Sequence, residues 1–221
     1  MGDAPSSRRD ALPSPLRTEG GGRGGDEARL QPDLFAQSSP GTSQHGPVEL
    51  RPLTRADEAL IDRWITQPEI QRWWGDGASA FAEVRLAQES PSAICRIVMV
   101  GGKPAGYGHA IDAGLWGSAL PEGLQPGTWD VDLFIAEASA RGRGAGETAL
   151  GILIDEVFAT TMALAVSVFV SIRNEAAVRI YEKAGFRWVR IWEDPAFGPM
   201  WLMVRERGAT AATRPRTSSG D

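Results

Sequence analysis

With 221 residues, 42% of them hydrophobic, and a formal net charge of −5, the chain can build one medium-sized domain with tails, and its mild acidity argues against a general nucleic-acid surface, which needs a basic face. One cysteine, Cys95, and two histidines, His45 and His109, exclude an internal disulfide and leave too few ligands for a cysteine- or histidine-based metal site, so no metal is expected. No apolar run approaches the ~20 residues of a membrane span, and the N-terminus lacks the apolar segment of a secretory signal. The expectation is a cytoplasmic protein with no membrane partner.

Residues 1–46 are rich in Gly, Ser, Pro and Arg, cannot bury apolar surface, and are expected to be disordered. The ordered domain is expected over 47–207, with a second disordered tail over 208–221. Residues 48–54 (VELRPLT) alternate as a first strand. Thr54 then caps a helix, with Asp57 three residues on and Leu60, Ile61 and Trp64 as its apolar stripe. Residues 67–77 (QPEIQRWWGDG) end in a turn, and residues 79–90 form a short helix. Residues 93–100 and 105–112 flank GGKP as a hairpin. Cys95 lies in the first of these runs and is expected to be a buried, inert thiol. His109 lies in the second and reads as a strand-packing histidine. A loop over 114–128 leads to a strand over 129–136. The helix that follows carries Leu150, Leu153, Ile154, Val157 and Phe158 on one face. A β-branched strand, a capped helix over 174–185 and two closing strands complete the chain. The order β-α-α-β-β-β-α-β-α-β-β implies a mixed sheet, because a hairpin comes early and a β-α-β crossover late.

The stretch ARGRGAGETAL (140–150) lies between a strand and a helix. It is either a tight turn or a place where the backbone must approach a ligand closely. The first N–H groups of a helix lack internal partners and favour an anion. Gly142, Gly144 and Gly146 remove Cβ obstruction, and Arg141 and Arg143 can add charge-assisted contacts. No P-loop lysine follows, and the third glycine of a dinucleotide fingerprint is missing.

The spacing Arg141, Gly144, Gly146 after DLFIA and before ETALGILIDEVF resembles the acyl-CoA-binding motif of the GNAT superfamily of N-acyltransferases. Residues 174–186 (NEAAVRIYEKAGF) resemble that family's second signature. The resemblance covers roughly 47–205 and implies an α/β (α+β) GNAT fold, with a mixed, mostly antiparallel central sheet and helices on both faces. It also implies acetyl-CoA as co-substrate. The turn of Arg141, Gly142, Arg143, Gly144, Ala145, Gly146 and Glu147 would hold the pyrophosphate, with Asn174 contributing from the second signature. Backbone amides of Leu133, Phe134 and Ile135 would meet the pantetheine arm and the thioester carbonyl. Independently of the resemblance, Asn174 is a natural N-cap and Gly185 a natural C′ residue. Such an ending sets Phe186 against Tyr181 and fixes where Tyr181 points.

The implied reaction moves an acyl group to an amine, which must be neutral to attack. Asp132, two residues from Asp130 on one strand face, is the candidate base. Tyr181, protonated at neutral pH, is the candidate acid for the leaving thiolate. Within the superfamily, residues 72–77, 102–110, 132–146 and 179–186 look most like aminoglycoside 6′-N-acetyltransferases. That likeness implies Asp132 at the amine, a tryptophan of the Trp73-Trp74 pair lining the acceptor site, and a second acceptor aspartate near Asp112. Acidic residues at 76, 83, 89, 112, 122, 130, 132 and 137 would steer a polycation inward. Trp74 reads equally as a hydrophobic staple. Acylation of another small amine or of a protein amine, and a non-catalytic coenzyme A sensor, remain open, as does a monomer or a homodimer.

Overall fold

The structure, a computed structural model, describes residues 46–115, 119–194 and 197–209, without the side chain of Ser79. The expected tails over 1–46 and 208–221 lie outside the described residues except for Gly46, Gly208 and Ala209. The chain opens on β1 (Val48–Pro52). Asp57 then reaches back to the Thr54 amide at 2.9 Å and takes two bonds from the Arg51 guanidinium at 2.8 and 2.6 Å. Arg51 is the main reason that the Asp57 carboxyl is held well below the usual carboxylate range. This clasp sets the direction of α1 (Glu58–Ile65), whose inward face is Ile61, Trp64 and Ile65. Leu60 is only half-buried, and Ile65 fills the stripe in its place.

Residues 67–77 hold a helix beyond the expected ones. α2 (Pro68–Trp74) starts on Pro68, whose fixed φ suits a first turn, and stops at Gly75 with φ 82°. α3 (Gly77–Glu89) follows, then β2 (Ile94–Val100) and β3 (Lys103–Asp112). Gly101 and Gly102, at φ 57° and 75°, make the two-residue hairpin between them. The rest is β4 (Thr128–Ile135), α4 (Ala145–Thr160), β5 (Ala165–Ser171), α5 (Glu175–Lys183), β6 (Arg187–Asp194) and β7 (Gly198–Glu206).

The strands form one sheet in the order β1-β2-β3-β4-β5-β7-β6. Only β4 and β5 run parallel, and α4 makes the crossover between them. The mixed, mostly antiparallel sheet with helices on both faces is therefore as the sequence implies. β7 inserts between β5 and β6, so the last strand finishes the sheet from within and β6 is the edge.

One face of the sheet packs on α4 and α5. Leu150, Leu153, Ile154 and Val157 meet Val131, Val166 and Val168 there, each burial contributing about 1.5–3 kcal/mol. The other face packs on α1, α2 and α3 through Trp64, Ile70, Trp74 and Val84 against Ile97, Tyr107 and Phe134. No helix among the described residues is long and apolar enough to cross a membrane.

β3 and β4 approach closely because β3 carries Gly106 and Gly108. A Cβ on Gly106 would lie 2.2 Å from the Phe134 carbonyl oxygen. Gly106→Ala is expected to destabilise the fold by about 1–3 kcal/mol through overpacking. Gly151→Ala, in α4 with nothing near its missing Cβ, is expected to stabilise by about 0.5–1 kcal/mol. Urea unfolding of the two variants checks both signs.

Candidate active site

β4 pairs with β3 as far as Ile135, but with β5 only through Thr128, Trp129 and Asp130. Beyond Asp130 the parallel strands part. Successive residues of a strand direct their backbone groups to opposite sides, so the β4 edge facing the gap has alternate amides with no β5 partner. The Leu133 N–H on that edge donates to Asp132 Oδ1 at 2.9 Å. Ile135 shares its parity.

α4 begins beside this gap. Gly142 and Gly144 hold φ 71° and 88°, and Gly144 is the N-cap. Only glycine adopts these angles without strain. The first-turn amides of Ala145, Gly146 and Glu147 have no acceptor inside the helix. Arg141 does not project from the turn, because its Nη2 donates to the Ala136 carbonyl at 2.9 Å and braces the loop. Arg143 is exposed. Glu147 is drawn aside by Lys183 Nζ at 3.2 Å, which offsets its charge near the helix end.

A cavity of about 130 Å³ runs from this turn into the gap, lined by Leu133, Ile135, Gly146, Leu150, Ala177, Ile180 and Tyr181. Tyr181 is positioned by a Schellman ending of α5. The Phe186 N–H donates to the Tyr181 carbonyl at 3.0 Å, the Gly185 N–H to the Glu182 carbonyl at 3.0 Å, and Gly185 has φ 89°. The Phe186 ring meets the Tyr181 ring edge-on at 5.3 Å. Asn174 caps the other end of α5, its Oδ1 accepting from the Ala177 N–H at 3.2 Å.

The opposite side of the gap is acidic. Asp130 and Asp132 project to the α1–α3 side of β4, and Glu83 reaches the same region from α3. Asp130 accepts from Ser167 Oγ at 2.9 Å. Burial, then repulsion from Asp130, pushes the Asp132 carboxyl up to about 8, against the Leu133 N–H, which lowers it. Burial, then Asp132 and Asp130, raises Glu83 well above the carboxylate range. Both carboxylates retain some solvent contact, as groups at the floor of a cleft do while protein surrounds them on most sides. Burial, followed by these two aspartates, also raises Tyr181 well above the usual phenol range, so it remains a proton donor across neutral pH.

His109 is fully buried opposite Asp132 in the β3–β4 ladder. Burial lowers it to about 4, so it is neutral at pH 7, and its Nε2 lies 3.8 Å from Glu83 Oε1. It packs within the strand layer against the Trp74 and Tyr107 rings, as expected, and also borders the carboxylates.

Trp74 and Phe134 are core side chains, with rings 4.9 Å apart. Trp73 is half-exposed, with the Arg72 guanidinium 4.7 Å above its ring. Asp112 is not brought to the cluster. It has the parity opposite to Tyr107 and His109, and its Oδ1 accepts from the Gly114 N–H at 2.9 Å. Cys95 is half-buried rather than buried. It interacts with the Tyr107 hydroxyl without a well-formed hydrogen bond, and burial keeps it a thiol. It borders a larger cleft of about 580 Å³ between the start of α1, α3 and the β1–β2 edge. That cleft is not lined by Asp130, Asp132 or Tyr181, so its size does not make it the reaction site.

Glu83 was hidden among the surface acids of the sequence. Its signal is its phase: it sits on the α3 face that carries Ala80, Val84 and Ala87, all buried.

Residues 54–193 match the family described as "Acetyltransferase (GNAT) domain". The chain is 32% identical over 187 residues to an aminoglycoside N(6′)-acetyltransferase type 1 of Klebsiella pneumoniae, spanning 78% of this chain and 90% of that protein. It superposes on aminoglycoside acetyltransferase AAC(6′)-Ib in complex with coenzyme A with a TM-score of 0.64 and 32% identity, over 74% of this chain and 96% of the other. The complex of AAC(6′)-Ib with coenzyme A and kanamycin gives a TM-score of 0.64 at 31% identity, with the same coverage.

The raised Asp132 carboxyl has a consequence for stability. Its folded value of about 8 exceeds its ordinary 3.8, so between these limits the native state holds a proton that the unfolded chain has released. That contribution is fully present below the lower value and is lost as pH rises through the upper one. The melting temperature of the wild type should therefore fall more steeply than that of Asp132→Asn between about pH 5 and about pH 9. Calorimetry across this range checks it, and parallel slopes would contradict it.

Proposed function

This chain belongs to the GNAT acetyltransferase family, and on that premise we propose that it transfers the acetyl group of acetyl-CoA to the 6′-amine of an aminoglycoside. The observation that carries this reading is the parting of β4 from β5 after Asp130. It connects an anion-binding helix start on one side of the sheet with a cluster of carboxylates on the other.

The residues present fit the coenzyme. The amides of Ala145, Gly146 and Glu147, presented by Gly142 and Gly144, suit a diphosphate, and Arg143 is free to add charge. Leu133, Ile135 and Gly146 line a passage narrow enough for a pantetheine arm. Acetyl-CoA supplies an activated thioester when bound. The Ile135 amide, on the open edge of β4, is placed to hydrogen-bond in the passage. The Leu133 amide is held by Asp132 and becomes available when that carboxylate turns to an amine.

Asp132 takes the proton from the acceptor ammonium, and its raised value makes it a base matched to that task. The nitrogen then forms the new C–N bond as the C–S bond breaks. Tyr181 gives its hydroxyl proton to the departing sulfur. Asp130, held by Ser167, adds another carboxyl group to the region. Asn174 acts by capping α5, so its role is to position Tyr181. Trp73, half-exposed beside the Trp74 cluster, offers a face for a sugar ring. The acidic cluster matches a polycation in sign.

Release of thiol from acetyl-CoA with a panel of aminoglycosides tests the reading. Turnover with kanamycin-type amines is the expected result, and coenzyme binding with no turnover on any amine would overturn it. Tyr181→Phe should lower kcat by roughly 10²-fold or more with little change in acetyl-CoA affinity. Gly144→Val cannot keep the left-handed angle without strain, and should weaken acetyl-CoA binding by at least about tenfold, the equivalent of 1.4 kcal/mol, in a calorimetric titration.

A further inference from the structure

Glu83 is a carboxylate of the cluster to which the proposed reaction assigns no task. α3 carries it over the sheet on the face of Ala80, Val84 and Ala87. Its Oε1 lies 3.8 Å from His109 Nε2, and His109 stands directly opposite Asp132 in the ladder. Glu83 and Asp132 are therefore brought close enough to repel each other from two independent elements, a helix and a strand.

A purely structural role for Glu83 is hard to support. A distance of 3.8 Å is too long for a hydrogen bond, and His109 is neutral at pH 7, so it does not cancel the charge. The charged and titratable groups facing Glu83 are His109 and Tyr107 from β3 and Asp130 and Asp132 from β4. No Lys or Arg among the described residues contributes to the shift of Glu83 or of Asp132. Carboxylates crowded together without a cation favour holding protons or receiving a cation. Their half-buried state leaves them open to a ligand.

We propose that Glu83 is a specificity-determining residue of the acceptor site, closing on the acceptor ammonium from the helical side while Asp132 meets it from the sheet. This deepens the acceptor reading above and rests on it. The enzyme then takes up its amine as a cation. The carboxyl protons held in the empty site leave to solvent on binding, and the ammonium proton moves to Asp132 only when the nitrogen attacks.

The test compares the wild type with Glu83→Gln and Glu83→Asp in the full chain. Steady-state rates give KM for kanamycin and for acetyl-CoA. Calorimetry of kanamycin binding to the coenzyme A-saturated protein at neutral pH, in two buffers of different ionisation enthalpy, counts the protons released. In Glu83→Gln, KM for kanamycin should rise roughly tenfold or more while KM for acetyl-CoA is unchanged. Proton release per acceptor bound should be smaller than in the wild type, and Glu83→Asp should recover part of the affinity. An unchanged kanamycin KM and proton count in Glu83→Gln overturns the inference and leaves the acceptor reading intact. A parallel loss for both substrates also overturns it, since that is the mark of a folding residue. A wild type that binds acetyl-CoA but acetylates no aminoglycoside overturns both.

Discussion

β4 has hydrogen-bonded neighbours on both sides for only part of its length, and the organisation of the site follows from where that stops. Through Asp130 it is an interior strand, and beyond Asp130 it keeps β3 and loses β5. A strand edge inside a domain is costly when its amides are buried without partners. Here the Leu133 amide is satisfied by the neighbouring Asp132 carboxylate, and α4 and α5 wall the gap with Leu150, Ala177 and Ile180. The helix start and the gap lie side by side because the β4–α4 connection is short. Arg141 ties that connection back to the Ala136 carbonyl, and Trp64 of α1 donates to Glu137 at 3.0 Å. The turn is thus braced within itself and from α1, which gives its free amides a fixed direction.

The electrostatics of the site divide along the same gap. On the α4–α5 side the donors are main-chain N–H groups, a partial positive charge suited to a diphosphate. On the α1–α3 side stand Asp130, Asp132 and Glu83, which burial and mutual repulsion hold in tension. A cation is the ligand that relieves it. Tyr181 lines the cavity on the α4–α5 side and stays protonated across neutral pH; in the proposed reaction it meets the leaving sulfur there. In the proposed reading, a single sheet defect provides the anion site, the passage and the cation site.

Much of this was legible from local sequence. The glycine turn, the Asn174 cap and the Gly185 ending depend on φ and on hydrogen bonds within a few residues, so Gly142, Gly144, Gly185 and Phe186 announce themselves. α4 was legible from its spacing, and Asp132 from being a charge in an apolar strand. What depends on packing was not. α2 is a single short helix whose Pro68 and paired tryptophans suit a loop equally well, and only contact with Phe134 and His109 separates core Trp74 from half-exposed Trp73. Arg141 looks like a phosphate ligand until its carbonyl partner, five residues back, is in place. Asp112 is near the acceptor strands in sequence but falls on the other parity. Glu83 joins the cluster although 48 residues of chain lie between it and Asp132, a pairing that no local pattern encodes.

The most direct test of the account is an amide map of coenzyme binding. Titrating isotope-labelled protein with coenzyme A and following backbone N–H resonances should give the largest changes at Ala145, Gly146 and Glu147, with a second group at Leu133 and Ile135. If those amides stay still while the changes gather around Leu53, Arg85 and Cys95 in the larger cleft, the main-chain grip at the start of α4 is wrong and the mechanism built on it falls.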